Sequence, residues 1–181
     1  MKIFMLTSSI ADDVKMGCIP ARGVPPTLAS GTRAWLRRVP GDSVIFAGRD
    51  MNLIDSFPPT RQIFSESALS DRDHGQWHGR NLRDLPSDDL SRWIADPDFA
   101  PPEGETARGA FMRAAAWLDE APHTGVDVVV VAQPSVVRTL LIHALGGGVE
   151  MAARLDIPPS SLSVMTRHTH WRVASMGTLL D

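Results

Sequence analysis

Three short polar stretches in this chain each follow an apolar run: Thr7-Ser8-Ser9 after KIFML, Gly48-Arg49-Asp50 after SVIFA, and Gln133-Pro134-Ser135 after VVVVA. Hydroxyls, an arginine and an amide at such junctions can hold an anion. Ligands of open α/β sheets bind beyond the carboxyl ends of the strands, where stretches of this kind gather. Pro134 suits the first position of a helix, where its missing N–H costs nothing. The free N–H groups and positive dipole end of that helix favour a negative charge. Arg138 lies one turn further along, and an arginine fork matches phosphate or carboxylate. The chemistry expected of Thr7, Ser8, Ser9, Arg49, Gln133 and Arg138 is therefore recognition of a small anionic ligand.

The elements that would position these residues alternate. A strand is predicted over 2–6, followed by a Gly- and Pro-rich loop over 7–26, long enough to suggest a functional segment. Thr27 is the expected N-cap of a helix over 27–39. A strand follows over 43–47, then a helix over 50–57 stopped by Pro58-Pro59. Residues 61–65 read as a strand, and 66–86 as a polar segment anchored by Trp77 and Leu82. Helices are predicted over 87–93 and 105–118 around the loop PDFAPPEGET. Residues 127–141, DVVVVAQPSVVRTLL, read as a buried strand running into a helix, and strands over 162–166 and 171–175 close the chain. This alternation predicts βαβ units, a mostly parallel sheet and a three-layer α/β/α sandwich in a single domain over 1–181.

The bulk composition narrows the function classes. With 181 residues, 43% apolar and 22% charged, the chain has the balance of a folded globular domain. The net charge is −3, and Lys2 and Lys15 are the only lysines, which argues against nucleic-acid binding through phosphate neutralisation. No apolar run reaches membrane length, and the run at Ile3 to Leu6 is too short for a signal peptide. One cysteine, Cys18, allows no internal disulfide and fits a reducing compartment, so a cytoplasmic protein is expected. Cys18 receives no role. His168 and His170 would share one face of a strand, but two ligands are too few for a metal site. No metal and no cofactor is expected.

Several stretches, in order, resemble the histidine phosphatase superfamily, the fold shared with cofactor-dependent phosphoglycerate mutases. LSDRDHGQWHGR (69–80) is similar to the family's segment with an acidic residue followed by Gly-x-Trp-x-Gly-Arg. PPEGET (101–106) resembles its Pro-Gly-Gly-Glu-Ser/Thr loop opening a long helix. VVVVAQPSVVR (128–138) resembles its apolar strand followed by Ser/Thr-His-x-x-Val-Ile-Arg, and SLSVMTRHTHWRV its last hairpin. The resemblance implies a phosphoglycerate mutase-like fold, with Arg49 as the arginine after the second strand. It further implies Asp71 as the acid or base that serves the leaving group, and Arg138 at the family spacing.

The resemblance departs from the family where the chemistry should be. Thr7-Ser8-Ser9 stands where the family has Arg-His-Gly, placing Ser8 at the nucleophile position, and Gln133 stands where the second histidine is expected. A neutral imidazole is a competent nucleophile near neutral pH, whereas a serine needs an adjacent base, and none is evident beside Ser8. A glutamine amide can donate a hydrogen bond but cannot carry charge or shuttle a proton. The leading expectation is a divergent member without phosphohistidine chemistry that binds a small anionic or phosphorylated metabolite. A second expectation is an enzyme with a repurposed site, either a phosphohydrolase with another nucleophile or a catalyst of non-phosphoryl acid/base chemistry led by Asp71. A third is a non-catalytic interaction module, for instance a homodimer. His74 and His78 are placed by the resemblance outside the catalytic core.

Overall fold

The run Val128–Ala132 is buried along its whole length because both of its faces are covered. The protein is described by a computed structural model over residues 1–53, 56–57, 60–120 and 125–180. In chain order the strands are β1 (Lys2–Thr7), β2 (Val44–Gly48), β3 (Ile63–Glu66), β4 (Val128–Ala132), β5 (Ser161–Arg167) and β6 (Trp171–Leu179). The helices are α1 (Asp12–Lys15), α2 (Ser30–Leu36), α3 (Ser87–Ala95), α4 (Ala107–Glu120) and α5 (Pro134–Ala144). The strands form one six-stranded sheet in the order β3-β2-β4-β1-β5-β6. From β3 to β1 all pairings are parallel, and β5 and β6 add an antiparallel edge. The predicted mostly parallel α/β fold is the observed one.

Period-two alternation divides the strand residues between two cores. Val128, Val130 and Ala132 join Ile3 and Met5 against Trp117 and Leu118 of α4 and Val137, Leu140 and Leu141 of α5. Val129 and Val131 point the other way with Leu6 and Ile45, meeting Leu28, Leu36 of α2, and Leu53. Both faces of β4 are therefore apolar, the pattern of a central strand in a parallel sheet. A separate cluster of Ile19, Trp77 and Leu85 packs the polar segment that follows β3, where Trp77 was expected as an anchor.

The structure redraws several predicted elements. The helix expected from Thr27 begins only at Ser30, and its N-cap position is Ala29, without a side-chain cap. The Thr27 carbonyl instead accepts from Ser9 N–H, so tertiary contacts set that boundary. The loop over 7–26 contains the one-turn helix α1. The expected helix over 50–57 falls partly outside the described residues, as do Pro58 and Pro59; Met51 to Leu53 are not helical. His168 and His170 lie exposed in the turn between β5 and β6 rather than on a strand face.

Two neighbouring backbone positions oppose each other in what they require. Gly75 has φ +54°, and a Cβ there would collide with the Pro102 carbonyl. Glu103, packed across from it, also has positive φ, 58°, without being glycine. Gly75→Ala should lower stability in urea unfolding by about 2 kcal/mol or more, from clash and left-handed strain together. Glu103→Gly should raise it by roughly 0.5–1 kcal/mol, because a left-handed conformation strains any residue with a Cβ.

Candidate functional site

Three of the four parallel strands, β1, β2 and β4, end on their carboxyl side in the polar stretches singled out above, and those after β2 and β4 meet at Asp50 and Asp71. Asp50 follows β2. Its Oδ2 accepts from the Gln133 side-chain nitrogen at the end of β4 (3.1 Å) and from the Asp71 backbone N–H beyond β3 (3.3 Å). A carboxylate only accepts, so the amide nitrogen of Gln133 faces it. One aspartate, not singled out from the sequence, thus ties together three strand ends.

Gln133 occupies the N-cap position of α5, and Pro134 is the first helical residue, as expected. The Gln133 side chain does not cap the helix; Asp50 holds it instead. The Ser135 hydroxyl in the first turn of α5 donates to Asp71 Oδ1 at 2.5 Å. The carboxylate of Asp71 therefore stands at the positive end of α5, where an external anion was expected. A ligand anion at that point would meet a charge of its own sign.

Asp71 is held from below by Arg113 of α4. Its Nε and Nη2 donate to the two Glu105 carboxylate oxygens (2.8 and 3.0 Å), Nη1 to the carbonyls of Ser67 and Ala68, and Nη2 also to that of Asp71. Glu105 was expected in the first turn of the helix. It lies just before α4 and serves as this arginine's partner. Arg72 braces the same corner by donating to the carbonyls of Glu105 and Phe99.

A cavity of about 690 Å³ opens over this corner, lined in part by Arg22, Arg49, Asp50, Asp71, His74 and Gln133. A second cavity of about 590 Å³, beside α1 and Ser9, also meets Asp71 and Gln133. Residues 20–21 and 24–26 border both. Arg49 is exposed, and its guanidinium bonds to no described residue, while its backbone N–H donates to Ser70. Of the three β1 hydroxyls, only Ser9 reaches a cavity. Thr7 is fully buried, accepting from Ser161 N–H at 2.8 Å and donating to the Pro158 carbonyl, because the antiparallel β5 edge packs over it. Ser8 is 0% exposed and its Oγ has no partner among the described residues. Arg138 lines neither of these cavities; it belongs to a smaller one on the far side of Asp71.

The histidines set aside in the sequence are the ones that reach the cleft. His78 Nδ1 lies 2.8 Å from the Pro20 carbonyl, which only accepts, so this nitrogen carries a hydrogen. Its Nε2 lies 2.9 Å from Asp73 Oδ1, a contact that becomes an ion pair when the ring is protonated. Asp73 is held below the usual carboxylate range chiefly by the Gly75 N–H, with help from His78 and Arg22. His74 is only 9% exposed, and its Nδ1 is covered and without a partner. Burial pushes the His74 pKa below 6.5, against the pull of Asp71. The DHGQWH spacing carried this signal: a short helical turn over Gly75–Trp77 brings the two imidazoles into edge contact, 5.6 Å between centroids.

The fold and the corner around Asp71 define a phosphoglycerate mutase-like α/β protein. A family model described as the histidine phosphatase superfamily (branch 1) matches residues 55–178, and the chain belongs to that superfamily. The matched segment includes Asp71, Gln133 and Arg138 but not Thr7 to Ser9 or Arg49. Among solved structures, the chain resembles an alpha-ribazole phosphatase from Shigella flexneri (TM-score 0.81, 15% identity, 100% of this chain and 98% of that one). It also resembles a mycobacterial glucosyl-3-phosphoglycerate phosphatase (TM-score 0.72, 17% identity, 98% of each chain). A phosphoserine phosphatase from Entamoeba histolytica is similar too (TM-score 0.76, 13% identity, 97% of this chain and 96% of that one). At these identities the likeness establishes the fold. A comparison of the sequence with curated proteins finds no match. Among the described residues, no helix is long and apolar enough to cross a membrane.

Removing the Arg113 guanidinium takes the ion-pair partner from Glu105 and the side-chain donor from the Ala68 and Asp71 carbonyls. Arg113→Met should lower stability by about 3 kcal/mol in urea unfolding, as when one partner of a largely buried ion pair is deleted. His74 contributes a pH dependence of definite sign. Its folded-state pKa lies below its unfolded value, so the unfolded chain takes up a proton first as pH falls. Stability should therefore decline as pH drops through 6.5 toward the folded-state pKa. His74→Phe should flatten that part of the profile, read as the difference between the two proteins' urea midpoints across pH.

Proposed function

We propose that this member of the histidine phosphatase superfamily binds a small anionic or phosphorylated metabolite in the large cleft and does so without forming a phosphohistidine. The observation that carries the reading is the state of the two positions where the family's histidines are expected. Ser8 has no exposed surface, and the Gln133 amide nitrogen is engaged by Asp50. A buried serine without an adjacent base has no route to phosphorus. The cleft beside Gln133 nevertheless has the size of a small-molecule site, about 690 Å³, with the Arg49 guanidinium, bonded to no described residue, in its lining. Arg49 is the cationic partner of the ligand's anionic group in this reading, and the Gln133 carbonyl oxygen can accept from a ligand hydroxyl.

A second reading is supported by a separate observation. His74, Asp71 and Asp50 line the same cleft, and His74 is a largely buried imidazole kept neutral by desolvation. A neutral imidazole beside a carboxylate can exchange protons with a bound substrate, which is the equipment of a repurposed enzyme.

One assay separates the two readings. With a panel of phosphomonoesters, the wild-type protein is expected to release no phosphate above an Arg49→Ala background. Calorimetry should show saturable binding that this substitution weakens about 10- to 100-fold, the loss of one charge-assisted contact. Turnover that vanishes in Arg49→Ala would sink the non-catalytic reading. If that turnover also vanished in His74→Phe, the repurposed enzyme would replace it.

A further inference from the structure

On the far side of Asp71 from the cleft lies a smaller cavity of about 290 Å³, enclosed between α3, α4, α5 and the 3₁₀ segment Val149–Arg154. Its walls are mostly apolar: Trp93, Ala110, Ala114, Val136 and Val149. Among the polar side chains that break that lining, Arg138 and His74 make no side-chain hydrogen bond to any described residue. Arg138, half-buried in α5, bonds through its guanidinium to no described residue, although an arginine facing apolar walls ordinarily finds a carboxylate or carbonyl. His74, 9% exposed, lines this cavity as well as the cleft.

The His74 ring presents a donor here. Its Nδ1 is fully covered and has no partner. An N–H buried without an acceptor is the rarer and costlier arrangement, so the hydrogen of the neutral ring sits on Nε2, the edge left facing the cavities. The Arg138 guanidinium adds its N–H groups to this donor. The Ser135 hydroxyl already donates to Asp71 and the Thr139 hydroxyl to the Ser135 carbonyl. In charge, two arginines, Arg72 and Arg138, face one aspartate, Asp71. The large cleft instead sets Arg22, Arg49 and Arg72 against Asp50, Asp71 and Asp73, an even balance.

We propose that this cavity is a second binding site, distinct from the cleft, for a small monocarboxylate with an apolar body, its carboxylate held by Arg138 and His74 and its body against the apolar walls. A carboxylate satisfies an arginine fork with two parallel hydrogen bonds. A phosphate dianion fits less well: its second charge would face Asp71, and its third oxygen would meet the apolar wall. The proposal goes beyond the cleft reading and stands independently of it. Because Asp71, Arg72 and His74 belong to both cavities, an occupant here touches the residues that floor the cleft.

Benzoate and hexanoate are suitable probes, titrated into the full chain by calorimetry, with Arg138→Met and Ala110→Leu beside the wild type. Arg138→Met removes the charge, and Ala110→Leu fills the cavity while keeping it. Saturable binding is expected, weakened at least tenfold by either substitution, with both variants showing wild-type circular dichroism. Absence of saturable binding, or equal binding by wild type and both variants, would overturn the proposal. Weakening by Arg49→Ala as large as that by Arg138→Met would place the carboxylate in the cleft and also overturn it. Should Arg138→Met fail to fold, Ala110→Leu and Arg138→Lys decide: binding unaffected by the filled cavity counts against the site.

Discussion

The corner that carries the candidate site depends on one guanidinium. Arg113 uses its five N–H donors on the Glu105 carboxylate and on the carbonyls of Ser67, Ala68 and Asp71. The segment leaving β3 has no strand neighbour to donate to those carbonyls; apart from the Ser70 N–H that reaches the Ser67 carbonyl, Arg113 supplies their donors. Arg113 therefore links α4 to the backbone that delivers Asp71. The planar fork also fixes direction, because Glu105 can be engaged by two bonds in only one orientation.

Asp71 in turn changes what the start of α5 can do. A helix N-terminus after a parallel strand is a general anion site, and Pro134 at its first position is built for one. In this protein the anion is supplied internally, through the Ser135 hydroxyl. Asp50 acts similarly on the other flank by holding the Gln133 amide. Two carboxylates thus engage the Gln133 amide and the Ser135 hydroxyl, while the two arginines whose guanidiniums bond to no described residue lie elsewhere. Arg49 stands in the lining of the cleft and Arg138 in a separate cavity behind it.

The imidazoles come from one segment of chain rather than from two strand ends. His74 and His78 are four residues apart, joined by the His74 backbone N–H donating to His78 Nε2 at 3.2 Å. His78 further ties the segment to the loop over the cleft through the Pro20 carbonyl. Burial favours the neutral form of His74, so what its ring can offer is hydrogen bonding rather than a charge.

The sheet was legible in the sequence because its signal is local: VVVVA is short, β-branched and apolar throughout, as a strand covered on both faces requires, and KIFML and the Gln133-Pro134 junction follow from the same chemistry of burial and helix initiation. The motif order from Leu69 onward was likewise enough to name the family, as the match over 55–178 shows. Side-chain direction was not legible. Thr7 turns toward Ser161, and Ser8 is closed off, because β5 packs antiparallel against β1, a pairing between residues about 150 positions apart. Arg138 sits one turn into α5 as spaced, yet the rotation of that helix on the sheet sends it to the other side of Asp71 from Gln133. His74 and His78 line the cleft on either side of a turn in which Gly75 takes a left-handed conformation against the Pro102 carbonyl, with His78 held by Pro20 and Asp73. Types and spacing determined which groups the chain has to work with; long-range packing, which no local pattern encodes, decided which of them face a ligand.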